Sequence, residues 1–122
     1  MAETHPATIN LADKFALFSD HWAPRIAGRY NENEVRLAKA SGDFQWHSHA
    51  ESDELFLVME GELVMEFRDH TETVGPGEMI IVPRGVEHFP RVPKGEVKMI
   101  IIDPKDTANT GNPATAYQAT EI

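Results

Sequence analysis

The stretch FQWHSHAESDELFLVMEG, residues 44 to 61, places two histidines, a run of carboxylates and an apolar segment in direct succession. In an extended chain, side chains two positions apart point to the same face, so His47 and His49 face the same way. Glu54 begins the apolar segment and shares a face with Phe56. Two interpretations follow: a solvated rim or a metal site. The histidine pair alone favours the rim.

Outward from this stretch, the chain from Val35 onward consists of short segments rich in Val, Ile, Phe and Met. Gly, Pro and Asp interrupt these segments at close intervals, a pattern typical of an all-β sandwich or barrel. Pro76-Gly77 and the stretch from Pro83 to Gly85 are expected to bend the chain at the corners of a small barrel. The pattern predicts strands at 35–40, 43–47, 54–60, 62–68, 71–74, 79–83, 87–92 and 97–103.

Two less regular segments flank the strands. Residues 1–34 are predicted to form an N-terminal arm, in which Asn10 caps a short helix over residues 11–18. Residues 104–122 are polar and have little hydrophobic periodicity, so we expect a C-terminal tail. The whole chain is then a single domain, with its barrel at residues 35–103.

Composition excludes several classes of function. Of the 122 residues, 11 are Lys or Arg and 20 are Asp or Glu, which gives a formal net charge of -9. Because the basic residues are few and scattered, we expect no nucleic-acid partner and no anionic membrane surface. The chain has no cysteine, so any metal site must use nitrogen and oxygen ligands. The N-terminal residues lack the features of a secretion signal and the apolar runs are short, so a cytoplasmic protein is expected.

A second block of residues extends the pattern of the opening stretch. From Gly42 to Gly61 the sequence reads G-x4-H-x-H-x4-E-x6-G, and from Gly77 to His88 it reads G-x5-P-x-G-x2-H. Two blocks in this order and with these spacings resemble the paired motifs of the cupin superfamily. The resemblance extends over about residues 35–102, most of the chain.

The resemblance to cupins implies a fold and a cofactor. The fold is a small all-β barrel of the jelly-roll kind, also called a double-stranded β-helix. The cofactor is one divalent transition metal ion, held by the residues that match the motif positions, His47, His49, Glu54 and His88. Imidazole nitrogens and a carboxylate oxygen suit Mn, Fe, Ni, Zn or Cu alike, so the sequence leaves the identity of the metal open.

Several side chains are candidates for lining a pocket above the metal, although packing in the core is an equal or better interpretation for the apolar ones. Lys39 has the same strand parity as Val35 and Leu37, so its ammonium group faces the pocket if those residues face inward. A position at the surface is the alternative for this lysine. The candidates are Phe44, Trp46, Phe56, Met65, Phe67, Met99 and Lys39.

The leading hypothesis for function is a metal-binding cupin that acts on or binds a small organic molecule. Its chemistry could be metal-dependent isomerisation or oxygen activation at Fe(II). The alternative is a non-catalytic module in which the metal fixes a small ligand or stabilises the barrel, because one fold hosts many functions. The strand edges and the apolar N-terminal segment also suggest a homodimer.

Overall fold

The computed structural model describes residues 5–122. Residues 1–4, the start of the predicted N-terminal arm, lie outside the described residues. The elements are one helix and eight strands: α1 (Leu11–Phe15), β1 (Arg25–Tyr30), β2 (Asn33–Asp43), β3 (Glu54–Glu60), β4 (Leu63–Phe67), β5 (Thr71–Val74), β6 (Met79–Val82), β7 (His88–Pro104) and β8 (Thr120–Glu121).

All eight strands join in one sheet, with the order β5-β4-β7-β2-β1-β8 and with β3 pairing to β6 and β7. The long strand β7 organises the fold: its first half pairs with β4, its second half pairs with β3, and β2 runs beside both halves. Within residues 5–122, β5 and β6 each pair with only one strand, so the pairing does not close into a complete ring. The arrangement is jelly-roll-like and confirms the predicted all-β fold class.

The inner face of the sheet encloses the main hydrophobic core. Alternation places Phe56 and Val58 of β3 on this face, together with Met99 and Ile101 of β7. The apolar neighbours that share the core come from β2, β4, β5 and β6. Because six strands contribute to one cluster, the sheet curls around it. Two of the metal-ligand candidates, Glu54 and His88, are the first residues of β3 and β7.

The outer face of the sheet carries a second cluster, built around helix α1. Phe15 and Phe18 pack against Leu37 of β2 and Ile100 of β7. The Asn10 side chain accepts a hydrogen bond from the backbone N–H of Asp13 at 3.1 Å, which confirms the predicted helix cap. The helix ends at Phe15 rather than at residue 18. The short helix thus covers the outer face of β2 and β7.

Lys39 lies on this outer face, contrary to the pocket position considered for it. Its ammonium group donates a hydrogen bond to the carbonyl of Phe18 at 2.7 Å and lies 5.2 Å from the centre of the Phe18 ring. Leu37 packs in the outer cluster, so its strand parity points away from the metal-ligand candidates. Val35 packs against the same cluster, so the condition for a pocket position of Lys39, that Val35 and Leu37 face inward, is not met.

Two other sequence predictions differ from the structure. The predicted strand 43–47 is absent from the described chain, where β2 ends at Asp43 and only a single bridge links His47 to His88. The predicted tail is ordered against the sheet: β8 pairs in parallel with β1, and Ile122 packs against the outer cluster. Strand β1 was not predicted from the sequence. In residues 5–122 there is no helix with the length and apolar character that a membrane crossing requires.

Candidate metal centre

The structure brings together the four motif residues. His47 and His49 lie in the extended segment after β2, Glu54 is the first residue of β3, and His88 is the first residue of β7. One ligand atom from each of the four lies within 4.8 Å of those from the other three. A single cation could therefore be bound by all four side chains. His49, Glu54 and His88 are buried, while His47 is half-buried.

Backbone hydrogen bonds fix the relative positions of the histidines. The N–H of His47 donates to the carbonyl of His88 at 3.0 Å, and the N–H of His88 donates to the carbonyl of His47 at 2.9 Å. The carbonyl of His49 accepts a hydrogen bond from the N–H of Gly85 at 2.8 Å. The bend at Pro83 to Gly85 is thus tied directly to the histidine segment.

Two of the imidazole rings are held in a defined tautomer. Nδ1 of His47 lies 2.9 Å from the carbonyl oxygen of Gln45, and Nδ1 of His88 lies 3.0 Å from that of Val86. A carbonyl can only accept a hydrogen bond, so Nδ1 carries the proton in the neutral ring. Nε2 then has a free lone pair. A ring in this state can bind a metal through Nε2, and the hydrogen bond at Nδ1 orients it.

The buried ligand atoms lack other partners. Nε2 of His49 lies 3.2 Å and Nε2 of His88 3.5 Å from Oε1 of Glu54. Even so, among the described residues none of these three atoms has a partner in hydrogen-bond geometry. Leaving a buried polar group unsatisfied costs about 1–3 kcal/mol. A divalent transition metal would satisfy all three at once, so the donor set fits such an ion.

The protonation states also favour a metal. Burial, together with the neighbouring His88 and His49, lowers the pKa of His47 to about 4. Burial alone would raise the pKa of Glu54, but the adjacent imidazoles of His49 and His88 outweigh it, so that the pKa lies below its usual value. At neutral pH, His47 is neutral and Glu54 is ionised. These are the states in which both groups bind metals.

Comparison with known proteins identifies the fold family. The family model described as "Cupin domain" matches residues 33–103, more than half of the chain. The chain belongs to the cupin family. Relatives of known structure support the assignment over a larger share of the chain.

Two solved structures and one curated protein illustrate the similarity of this cupin to others. A cupin-2 domain protein from Shewanella frigidimarina NCIMB 400 is 47% identical, with a TM-score of 0.78 over 80% of this chain and 94% of that one. NMB1881 from Neisseria meningitidis is 33% identical, with a TM-score of 0.74 over 81% of this chain and 100% of its own. YdbB of Bacillus subtilis strain 168, an uncharacterised protein, is 42% identical over 62 residues. That match covers 50% of this cupin and 55% of YdbB, so it spans about half the length of the curated relative.

A cavity of about 30 Å3 adjoins the motif residues, two of which, His47 and Glu54, lie in its wall. Three of the predicted pocket residues, Phe44, Phe56 and Met99, also line it. Trp22 stacks on Phe44 with ring centres 5.0 Å apart. The wall is otherwise mostly apolar, which is the usual construction of a small-molecule site.

The other predicted pocket residues lie elsewhere. Trp46 packs beside Phe89, and the guanidinium of Arg68 lies over its ring at 3.7 Å. Met65 is fully buried in the main core. Phe67 stacks on His70 with ring centres 4.7 Å apart. These three residues and Lys39 do not line the cavity.

Four polar or aromatic residues of the cavity wall were missed from the sequence: Trp22, Arg36, Asp103 and Asn109. The signal for Arg36 was its position one residue from Leu37, which puts it on the opposite, inner face of β2. The signal for Asp103 was its position four residues after Met99 in β7, which puts both side chains on the same face of the strand. Trp22 and Asn109 lie outside the strands, and no pattern in the sequence points to them.

Arg36, Glu34 and Asp103 lie together as a buried cluster of ionisable side chains. The guanidinium of Arg36 donates to Oε1 of Glu34 at 2.8 Å and to the carbonyl of Thr107 at 2.9 Å. Its Nη1 lies 3.7 Å from Oδ2 of Asp103. Burial, and then the negative charge of Glu54, raises the pKa of Asp103 to about 9.

Proposed function

We propose that this cupin binds one divalent transition metal ion through His47, His49, Glu54 and His88. The observation that carries the proposal is the convergence of four ligand atoms within 4.8 Å of one another. Mn, Fe, Ni, Zn and Cu all suit three imidazole nitrogens and one carboxylate oxygen. Four protein ligands leave one or two positions open on a five- or six-coordinate ion.

We further propose that the open positions serve a small organic molecule. The support is the cavity, because His47 and Glu54 belong both to the metal-ligand set and to the cavity wall. When bound, the metal would supply Lewis-acid polarisation of an oxygen atom, or oxygen activation if it is Fe(II). The protein would exclude water with its apolar wall and orient the molecule at its polar end.

Elemental analysis of protein purified without added metal tests the first proposal. We expect close to one metal ion per chain, and less than a tenth of that in His49→Ala. The exposed His70 provides a matched control, because His70→Ala removes an imidazole that is outside the metal-ligand set and should keep the metal. Equal metal content in both variants would contradict the proposal.

A screen of the metal-loaded protein with small acids and sugars tests the second proposal. Substrate-dependent oxygen uptake would identify an oxygenase, and interconversion of isomers without oxygen uptake would identify an isomerase. The second candidate function is a non-catalytic binding or structural module, which the small size of the cavity, about 30 Å3, favours. Stoichiometric metal without turnover of any tested compound would support that candidate.

We also propose a homodimer located in the cytoplasm. On the outer face of β6, Met79 and Ile81 are 60% and 52% exposed, beside Leu57 and Leu55 of β3. A second copy of the chain would remove this apolar surface from water. Sedimentation analysis should give twice the chain mass of 13.7 kDa, and Ile81→Lys should shift the protein towards the monomer. A wild-type monomer at high concentration would contradict the proposal.

A further inference from the structure

Among residues 5–122, Asp103 is the one acidic side chain of the cavity wall that is outside the metal-ligand set. It lies on the inner face at the end of β7 and is 1% exposed. Its Oδ2 faces Nη1 of Arg36 at 3.7 Å. In the part of the chain that the structure describes, Oδ1 has no hydrogen-bond partner. A buried carboxyl oxygen without a partner is costly, and this one belongs to a group that lines a cavity.

The surroundings of Asp103 hold its carboxyl group in place. Arg36 is anchored by Glu34 and by the carbonyl of Thr107, so it does not depend on Asp103 for its position. Arg36 is 3% exposed and Glu34 is 5% exposed, which leaves both little freedom to move. Oδ2 is thus directed to a fixed cation. Oδ1 remains as the atom that can bond to a molecule in the cavity.

The same cavity brings Asp103 close to the proposed metal. His47 and Glu54 also line it, so a molecule inside can reach both the candidate metal ligands and Asp103. Its volume of about 30 Å3 admits about two water-sized groups, since one water needs roughly 10–15 Å3. The neighbouring wall of Phe44, Phe56 and Met99 is apolar. The cavity therefore suits the oxygen-bearing end of a small molecule whose remainder is apolar.

We infer that Asp103 binds a hydroxyl group of the ligand through Oδ1, while a neighbouring oxygen of the same ligand binds the metal. The inference rests on the proposed metal site. A hydroxyl group can both donate and accept, so it satisfies Oδ1 in either protonation state of the carboxyl group. A carboxylate of the ligand in place of this hydroxyl group is disfavoured, because it would face the carboxyl groups of Glu54 and Asp103. The ligand class is therefore small 2-hydroxy acids and related compounds with adjacent oxygen functions.

Glycolate and acetate are the probes that test this inference, because they share a carboxylate and differ by one hydroxyl group. Binding is followed in the visible spectrum of the Co2+-loaded protein, with azide as a probe that needs only an open metal position. Three variants are compared with the wild type: Asp103→Leu, Asp103→Asn and, as a control for loss of one exposed carboxylate, Asp69→Leu. Asp103→Ala replaces Asp103→Leu if the latter does not fold.

We expect the ratio of acetate to glycolate dissociation constants to fall about tenfold in Asp103→Leu, the loss of one hydrogen bond in a buried site. The ratio should stay within about threefold of the wild type in Asp103→Asn, which keeps a donor and an acceptor. Azide affinity should be the same in all variants that retain Co2+. A structure of the glycolate complex should place its hydroxyl within hydrogen-bond distance of Asp103.

Two results would overturn the inference. The first would leave the proposed metal site intact, and the second would contradict it as well. Binding of Co2+ and azide with an unchanged acetate-to-glycolate ratio in Asp103→Leu would mean that Oδ1 serves only a buried water, and the metal site would stand. Failure of the wild-type protein to bind Co2+ or any other divalent transition metal would remove both the inference and the proposed function.

Discussion

The two faces of strands β2 and β7 bury different kinds of side chain, although consecutive residues of each strand contribute to them in turn. The inner face carries Arg36 and Asp103 beside the metal-ligand candidates, whereas the outer face carries Leu37 and Ile100 against helix α1. Apolar burial stabilises a fold by about 25 cal/mol per Å2, and polar burial costs free energy unless each group is paired. The outer cluster therefore stabilises the sheet by apolar burial, while the inner end of the core holds the candidate metal centre and its polar neighbours.

The largest expected effect is a loss of metal binding without a loss of the fold. His49→Ala should lower metal affinity at least about 100-fold, because it removes one of four ligands from a site whose geometry the other three cannot complete. Its circular dichroism spectrum should remain that of the wild type, because the hydrophobic core holds the domain together. Loss of the fold together with the metal would show that the inner site is structural, and the contrast between the faces would fail.

The opposite result is expected on the outer face. Leu37 is fully buried between the sheet and the phenylalanines of the helical segment. Leu37→Ala should lower the free energy of unfolding by about 2–5 kcal/mol, as measured by urea denaturation. Metal content well below the unfolding midpoint should equal that of the wild type. A matching loss of metal in the folded variant would mean that the two faces are coupled.

A pH titration sharpens the view of the inner face. The pKa of His47 is lowered from 6.5 to about 4. Between pH 6.5 and pH 4, the imidazole is therefore protonated in the unfolded chain and neutral in the folded chain. Stability from His47 is therefore complete above about pH 6.5 and is lost as the pH falls towards 4. Relative to His47→Gln, metal-free wild-type protein should lose about 1–3 kcal/mol over this range in denaturation experiments. A difference that is constant between pH 7 and pH 4 would contradict the assignment.

The smallest effect is expected at Lys39. Lys39→Met keeps the length of the side chain and removes one hydrogen bond to the carbonyl of Phe18. It should change the free energy of unfolding by about 1 kcal/mol or less and leave metal affinity and probe binding unchanged. A clear change in the binding of glycolate to the Co2+-loaded variant would place Lys39 on the inner face after all.

The metal-ligand set was predictable because it is encoded locally in two motifs. Gly42, Gly61, Gly77 and Gly85 all have positive φ values between 72° and 83°, which only glycine adopts without strain. At Gly61 a Cβ atom would also collide with the carbonyl of Glu96. The glycines therefore permit the tight backbone at these four positions, and Gly85 also donates its N–H to the carbonyl of His49. Their spacing is visible in the sequence.

The cavity wall was less predictable because it depends on long-range packing. The alternation of side chains along β2 is predictable from the sequence, but which face is the inner one depends on where helix α1 docks. The sequence therefore left two positions open for Lys39, the pocket and the surface. Trp22 has a positive φ of 59° that its surroundings impose. Its indole N–H donates to the carbonyl of Ser41 at 2.9 Å. Nothing near Trp22 in sequence specifies that contact.

The C-terminal segment shows the same limit. Strand β8 has only two residues, and it forms because β1 offers an open edge. Asn109 donates a hydrogen bond to the carbonyl of Trp22 at 3.3 Å, and Thr110 is buried. A polar stretch without periodicity carries no local signal for such contacts, so it was predicted as a tail.

The paired backbone bonds between His47 and His88 have a consequence for changes in chain length. In an extended ladder, a shift of one residue turns every side chain to the opposite face. A residue inserted immediately beside either histidine would rotate an imidazole out of the site, whereas one inserted at the exposed turn around Pro76 would leave both rings where they are. Natural length variation in proteins of this kind is therefore expected at the turns and not next to the bridge.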